Sequence, residues 1–275
     1  MNKKIAIQGA EGSNHHKVAY DYYGANIAIV ECMSFDALVA ALLDNTCDEA
    51  VMALENTIAG SIIPNYALID QNNLYVSGEY YLNIHHHLMA LPNQKLGDIV
   101  EVCSHPMALL QCKEYFKKYP QIRLVEDVDT AEVAKRIAKN KLKGVAAIAP
   151  KIAADIFGLE VLADDIQTIN SNATRFVILK TKDAEDSEKS ANKASLKFTL
   201  DHQRGSLAAL LNVMSDCNLN LTKIQSLPII ETPWKYAFFV DVTFENYADY
   251  QKAKSIIAIM ADEFKILGAY KNGKL

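Results

Sequence analysis

Lys4-Ile5-Ala6-Ile7-Gln8-Gly9-Ala10-Glu11-Gly12-Ser13 runs from a short apolar stretch through two glycines to a hydroxyl residue. Residues 4–8 suit a buried strand and the glycines a turn. Ser13 suits the cap of a helix running to Tyr23, with Gly24 as its stop. The exposed backbone N–H groups of such a helix start make a seat for a carboxylate or phosphate. The glycine spacing fits neither the dinucleotide-binding loop nor the P-loop. The pattern then repeats: residues 25–32 read as a second strand, Ser34 caps a helix to about Asp44, and residues 49–54 read as a third strand. Strands that alternate with helices predict an α/β fold with parallel strands.

Composition narrows the function classes. The 275 residues are half hydrophobic and 22% charged, enough for a substantial core and two domains. A net charge of -5 offers no basic field for nucleic acid or an anionic membrane, so any anionic substrate must be held locally. The start enters a strand-like run with no signal-peptide apolar core and no membrane-spanning stretch, which points to a cytoplasmic location. Cys32, Cys47, Cys103, Cys112 and Cys217 are scattered, without a Cys-x-x-Cys pair, and read as small buried hydrophobes.

Polar groups gather where strands end. The third strand runs into Glu55-Asn56-Thr57-Ile58-Ala59-Gly60-Ser61, at the carboxyl end where open α/β sheets bind ligands. Asn56, Thr57 or Ser61 equally suits the cap of a following helix that carries Tyr66. Glu55, at the end of a buried strand, should be paired or raised in pKa. In Ile84-His85-His86-His87-Leu88, His85 and His87 share a strand face suited to chelation, but no third ligand stands nearby; His86 faces the other way, where it can enter a cleft. Ser104-His105-Pro106 opens a helix carrying Gln111 about two turns on, and Asp129 to Glu132 forms a capping box. In Asn172-Ala173-Thr174-Arg175-Phe176, strand alternation puts Thr174 and Phe176 on one face and Arg175 on the other, a hydroxyl beside a guanidinium at the mouth of an apolar strand.

Residues 180–193 are charged and aromatic-free and read as a linker. Beyond them the order is strand, helix, strand, strand, helix, strand, with strands at 195–200, 221–227, 234–244 and 265–270, a ferredoxin-like βαββαβ unit.

Taken together, these blocks resemble the prephenate dehydratases. The resemblance is carried by residues 9–13 with His16, residues 55–61, Ser104-His105-Pro106 with Gln111-Cys112, and the Thr-Arg-Phe signature at 174–176. Gly205-Ser206-Leu207, residues 220–224 and residues 234–241 resemble the ACT regulatory domain of that family. The resemblance implies a two-lobed catalytic domain of periplasmic-binding-protein type over residues 1–181, with lobes of about 1–77 plus 160–181 and 78–159. The linker would cover 182–193 and the ACT domain 194–275. It implies conversion of prephenate to phenylpyruvate on the route to L-phenylalanine, by a lyase that needs neither metal nor cofactor. The family's proposed acid falls on Thr174, with Glu55 as the other proton source and Asn56 beside them. The substrate-binding set is Arg175, Ser13, Thr57, Ser61, Ser104, Gln111 and Phe176. Arg175 suits a carboxylate because its planar fork binds both oxygens.

The resemblance also implies feedback by L-phenylalanine at Gly205, Ser206, Leu207, Ile224, Gln225, Ser226, Leu227 and Pro228, and a homodimer or homotetramer built through ACT sheets. Two departures bear on this. Met107 stands where the family often has Gln, and Gln225-Ser226-Leu227-Pro228 replaces its Glu-Ser-Arg-Pro, losing both charges. Arogenate is the alternative substrate, and a non-catalytic amino-acid sensor is the alternative from another class.

Overall fold

The computed structural model describes residues 2–181, 190–229 and 232–274. They form two compact units, Met1–Ser61 with Tyr81–Phe176 and Ile62–Tyr80 with Val177–Leu275. In the first, β1 (Lys3–Gln8) lies between β2 (Ile27–Cys32) and β3 (Glu49–Asn56), all three parallel. Between them run α1 (Asn14–Tyr23) and α2 (Phe35–Leu43), which start where the sequence places their caps. Ser13 accepts from the His16 N–H at 3.3 Å and Ser34 from the Ala37 N–H at 3.1 Å, and Gly24 ends α1 at φ 80°.

Residues 55–61 fold differently from the capping alternative. Glu55 and Asn56 stay on β3, and β4 (Gly60–Ser61) turns back on them, with Ser61 opposite Glu55 and Gly60 opposite Asn56. Gly60 takes φ +81°, a left-handed value that a side chain would strain. The next helix, α3 (Ile63–Gln71), starts after Ile62 with no side-chain cap, so neither Asn56, Thr57 nor Ser61 caps it.

The chain leaves this unit for α3 and most of β5 (Leu74–Asn83) and re-enters at Tyr81. It then builds β6 (His87–Ala90), β7 (Glu101–Ser104), α4 (Pro106–Phe116), β8 (Arg123–Glu126), α5 (Thr130–Asn140), β9 (Val145–Ala149), α6 (Lys151–Phe157) and β10 (Glu160–Ala163). The five strands form a second sheet in the order β10-β6-β9-β7-β8. Alternation splits each strand between two cores: Leu88, Val102 and Ile148 pack with Leu109 and Phe116 of α4, whereas Met89, Cys103 and Ala147 pack with Val133 and Ile137 of α5. At the first glycine turn, a Cβ on Gly9 would lie 2.8 Å from Asp129 Oδ2 and one on Gly12 3.1 Å from the Ala153 backbone, so this loop packs against the starts of α5 and α6.

After β11 (Ala173–Thr181), the second unit contains β12 (Lys193–Thr199), α7 (Ser206–Asp216), β13 (Asn220–Pro228), β14 (Tyr236–Thr243), α8 (Tyr247–Met260) and β15 (Glu263–Tyr270). This is the expected βαββαβ order, in an antiparallel sheet β13-β14-β12-β15. Residues 182–189 of the expected linker lie outside the described residues; of its flanks, Lys180 and Thr181 close β11 and Lys193 opens β12. The expected strand at 234 starts later because Trp234 adopts φ 68° and is 83% exposed.

Residues 62–80 join this unit through close backbone packing and buried charge. A Cβ on Gly268 would lie 2.1 Å from the Val76 carbonyl oxygen. The Lys193 ammonium donates to both Glu79 carboxylate oxygens, at 2.8 and 2.9 Å, with both side chains buried. The Ser195 hydroxyl donates to Asp241 at 2.5 Å and lies 2.6 Å from the Tyr270 hydroxyl.

Candidate active site

The start of β11 is fastened to the turn after β3. The Thr57 N–H donates to the Ala173 carbonyl and the Ala173 N–H to Thr57 Oγ1, both at 2.9 Å. These bonds bring Asn172, Thr174 and Asn56 together. Asn56 Oδ1 accepts from the Ile58 and Ala59 N–H groups, each at 2.9 Å, which fixes the orientation of its amide. The amide nitrogen must then face β11, where it donates to Thr174 Oγ1 at 2.9 Å and to Asn172 Oδ1 at 2.7 Å.

The consequence falls on Thr174. A hydroxyl whose oxygen already accepts a hydrogen bond directs its own proton elsewhere. Asn56 therefore makes Thr174 an outgoing donor, in a setting where it is 8% exposed. The chain continues: Asn172 Nδ2 donates to Gln111 Oε1 at 3.0 Å, and His86 Nε2 lies 2.7 Å from the same oxygen. Burial lowers the His86 pKa below its ordinary value, only partly offset by the Gln111 bond. The cluster is thus built from neutral groups on β3, α4, β11 and the β5–β6 connection.

The other expected residues are placed as follows. Neighbours on a strand face opposite ways, so Glu55 and Arg175 turn away from the face shared by Asn56 and Thr174. Arg175 is 4% exposed. Phe176 is buried with its ring edge-on to His15, centroids 4.9 Å apart, which makes it a wall behind Thr174. Ser104 is fully buried and donates to the Ile148 carbonyl at 2.7 Å, so its proton is spent inside the second sheet. Ser13 is buried as the α1 cap, Thr57 holds the start of β11, and Ser61 pairs with Glu55. Gln111, expected in the substrate-binding set, is half-buried at the centre of the network. His85 bonds Asp165 at 2.7 Å and His87 bonds Asp164 at 3.0 Å; among the described residues no group of three potential metal ligands is found.

Sequence reasoning left two participants without a role. Asn172 stands two residues before Thr174 and so shares its strand face, a signal available from period alone. The partner of His86 depended on a contact across 25 residues of chain.

Residues 5–184 match the family described as prephenate dehydratase. The chain belongs to the prephenate dehydratase family. It is 31% identical over 98% of its length, and 71% of the relative's, to a bifunctional chorismate mutase/prephenate dehydratase of Buchnera aphidicola. It is 35% identical over 97% of its length, and 71% of the relative's, to arogenate dehydratase 2 of Petunia hybrida. Among solved structures, the prephenate dehydratase of Arthrobacter aurescens in complex with L-Phe aligns over 98% of this chain and 90% of that one, with a TM-score of 0.88 and 22% identity. A structure described as GqqA, a quorum-quenching acylase, aligns over 98% of both chains with a TM-score of 0.88 and 25% identity. Of the Thr-Arg-Phe run at 174–176, Thr174 is the residue that lies in the hydrogen-bond network.

Proposed function

We propose that this enzyme converts prephenate to phenylpyruvate, with Thr174 donating to the departing ring oxygen. The observation that carries the reading is the Asn56–Thr174 bond of 2.9 Å, which leaves the hydroxyl proton for the substrate. In the reaction the ring C–O bond breaks with its electron pair going to oxygen, the pair of the C–CO2 bond fills the ring, and carbon dioxide leaves. The departing oxygen takes up one proton to become water. An alcohol is a weak acid, so Thr174 acts as a donor whose bond strengthens as charge grows on that oxygen, worth about 10²–10³ in rate. The family resemblance gives Arg175 the carboxylate that stays on the product, from the strand face opposite Thr174. Glu55 is the alternative proton source, and the Asn56–Thr174 bond favours Thr174. A pH–rate profile separates the two: loss of rate as a group deprotonates near neutrality would give the role to a carboxylic acid.

The test is prephenate incubated with the purified protein at neutral pH, with Thr174→Ala alongside. Turnover by the wild type and loss in the variant supports the reading; no turnover of prephenate or arogenate by folded protein would leave the sensor. The Petunia relative keeps arogenate in view as a substrate, and competition between the two acids decides preference.

The C-terminal unit is read as an ACT domain that binds L-phenylalanine. A pocket beside the expected Gly205 to Leu207 segment supports this, with Leu200, Leu207, Tyr236 and Phe238 to meet a ring and Asp201, His202 and Lys235 among its polar lining. Residues 224–228 lie on β13, an edge strand whose free side suits pairing with a second copy. L-Phenylalanine should raise the melting temperature, and light scattering should give a dimer or tetramer. No described helix is long and apolar enough to cross a membrane, and we assign the enzyme to the cytoplasm.

A further inference from the structure

We propose that His86 is a positioning residue for the chemistry at Thr174, the second donor on the Gln111 oxygen that closes the Asn56–Asn172–Gln111 arm of the hydrogen-bond network. The inference rests on the reading of Thr174 as the donor to the leaving oxygen.

Direction follows link by link. The Ile58 and Ala59 N–H groups cannot reverse, so Asn56 must offer its nitrogen to Asn172 Oδ1. Asn172 must then offer its nitrogen to Gln111, whose Oε1 faces both Asn172, at 3.0 Å, and His86 Nε2, at 2.7 Å. An oxygen that accepts from Asn172 faces the imidazole with lone pairs, so His86 must carry its proton on Nε2. In the other tautomer, two lone pairs would meet at 2.7 Å. Turning Gln111 over to relieve that contact would set its NH2 against the NH2 of Asn172. Turning Asn172 as well would move the same conflict to Asn56, where the backbone blocks it. One arrangement satisfies every link, and in it Thr174 receives a bond and gives one outward.

His86 is built for this task. It is 5% exposed, and its backbone is pinned by an N–H bond to Gln167 Oε1 and by its carbonyl accepting from the Ile166 N–H, both at 2.9 Å. Its Nδ1 is buried and meets no hydrogen-bond partner among the described residues, so the ring's polar tie is the one to Gln111. Gln111 is held in turn by its backbone carbonyl, which accepts from the Thr168 N–H at 2.9 Å. Without the His86 donor, Gln111 Oε1 keeps only its bond from Asn172, the side chain is held less firmly, and the Asn172–Asn56 pair beside Thr174 loosens.

The test compares His86→Met, which keeps bulk but has no donor, with His86→Gln, whose amide nitrogen falls where Nε2 stands. Each is also made with Thr174→Val. His86→Met should lower kcat roughly 10–100-fold with KM little changed, the cost of one unmade buried bond. His86→Gln should recover most of that loss, and His86→Met should add nothing further once Thr174 is Val. Long-range 1H–15N spectra of the wild type should place the imidazole proton on Nε2. Wild-type kcat in His86→Met, equal loss in both His86 variants, multiplying effects in the double variant, or a proton on Nδ1 would each overturn the inference. If Thr174→Val loses activity and His86→Met does not, only the His86 role falls. If Thr174→Val keeps its activity, the donor reading falls and the His86 role with it. Should His86→Met fail to fold, His86→Gln and the tautomer measurement still decide.

Discussion

Two of the polar clusters buried among the described residues are made of different material. In the first unit, Asn56, Asn172, Gln111, His86 and Thr174 form a neutral chain, each link oriented by the one before it. In the second, Lys193 and Glu79 form a charged pair, with Ser195 bonded to both Asp241 and Tyr270 close by in sequence and sheet. A buried charge pair fixes segments strongly but is costly to break, because the remaining partner is left uncompensated. A neutral chain costs less per bond, yet it transmits orientation. The difference teaches that the charged cluster holds residues 62–80 against the C-terminal sheet, whereas the amide cluster aims one hydroxyl.

The largest effect should come from breaking the charged cluster. Glu79→Ala removes the carboxylate that compensates the buried Lys193 ammonium and should cost about 3–5 kcal/mol in urea denaturation. Replacing the pair together, Glu79→Leu with Lys193→Met, should recover most of that. Next, Thr174→Val should lower kcat about 10²–10³-fold with the melting temperature nearly unchanged, the reverse pattern. Asn56→Asp replaces the outgoing donor by an acceptor facing Thr174 and Asn172, and kcat should drop roughly 10–100-fold.

A smaller effect is spread over pH. Burial lowers the pKa of His15 to about 3, and those of His16 and His86 below their ordinary value. Between His15's ordinary 6.5 and about 3, the unfolded chain binds a proton there that the folded protein does not. Stability contributed by this histidine is therefore complete above pH 6.5 and falls as pH drops, by about 1.4 kcal/mol per pH unit. Denaturant midpoints at pH 7 and pH 5 should show the fall, and His15→Phe should flatten it. The smallest effect belongs to the exposed Lys17–Asp21 pair of α1, whose removal should change stability by no more than about 0.5 kcal/mol.

The comparison also separates what sequence can disclose from what it cannot. Glycines, caps and period-two runs placed β1, α1, β2 and α2 within a few residues, because those signals act over one or two turns of chain. The Thr-Arg-Phe signature pointed to Thr174 by resemblance, and the alternation that separates it from Arg175 follows from the strand itself. The β3–β4 hairpin was masked because Asn56, Thr57 and Ser61 suit a helix cap as well as a turn; Gly60 and the pairing of Ser61 with Glu55 decide between them. The roles of Gln111, Asn172 and His86 were hidden for a different reason. Each depends on contacts made between elements far apart in sequence, and an amide's orientation is set only by its neighbours in space.

The Asn56 and Asn172 amides also face a slower hazard. An asparagine ages when the backbone nitrogen of the next residue attacks its side-chain carbonyl, expels ammonia and leaves a carboxylate; asparagines are among the thermolabile residues for this reason. In this chain, that change would turn a donor into an acceptor and silence the hydroxyl. The two attacking nitrogens belong to Thr57 and Ala173, and each is already spent on the other's segment, Thr57 N–H on the Ala173 carbonyl and Ala173 N–H on Thr57 Oγ1, both at 2.9 Å. The clasp that brings β11 to the turn thus doubles as a preservative, lengthening the working life of the amides it aligns.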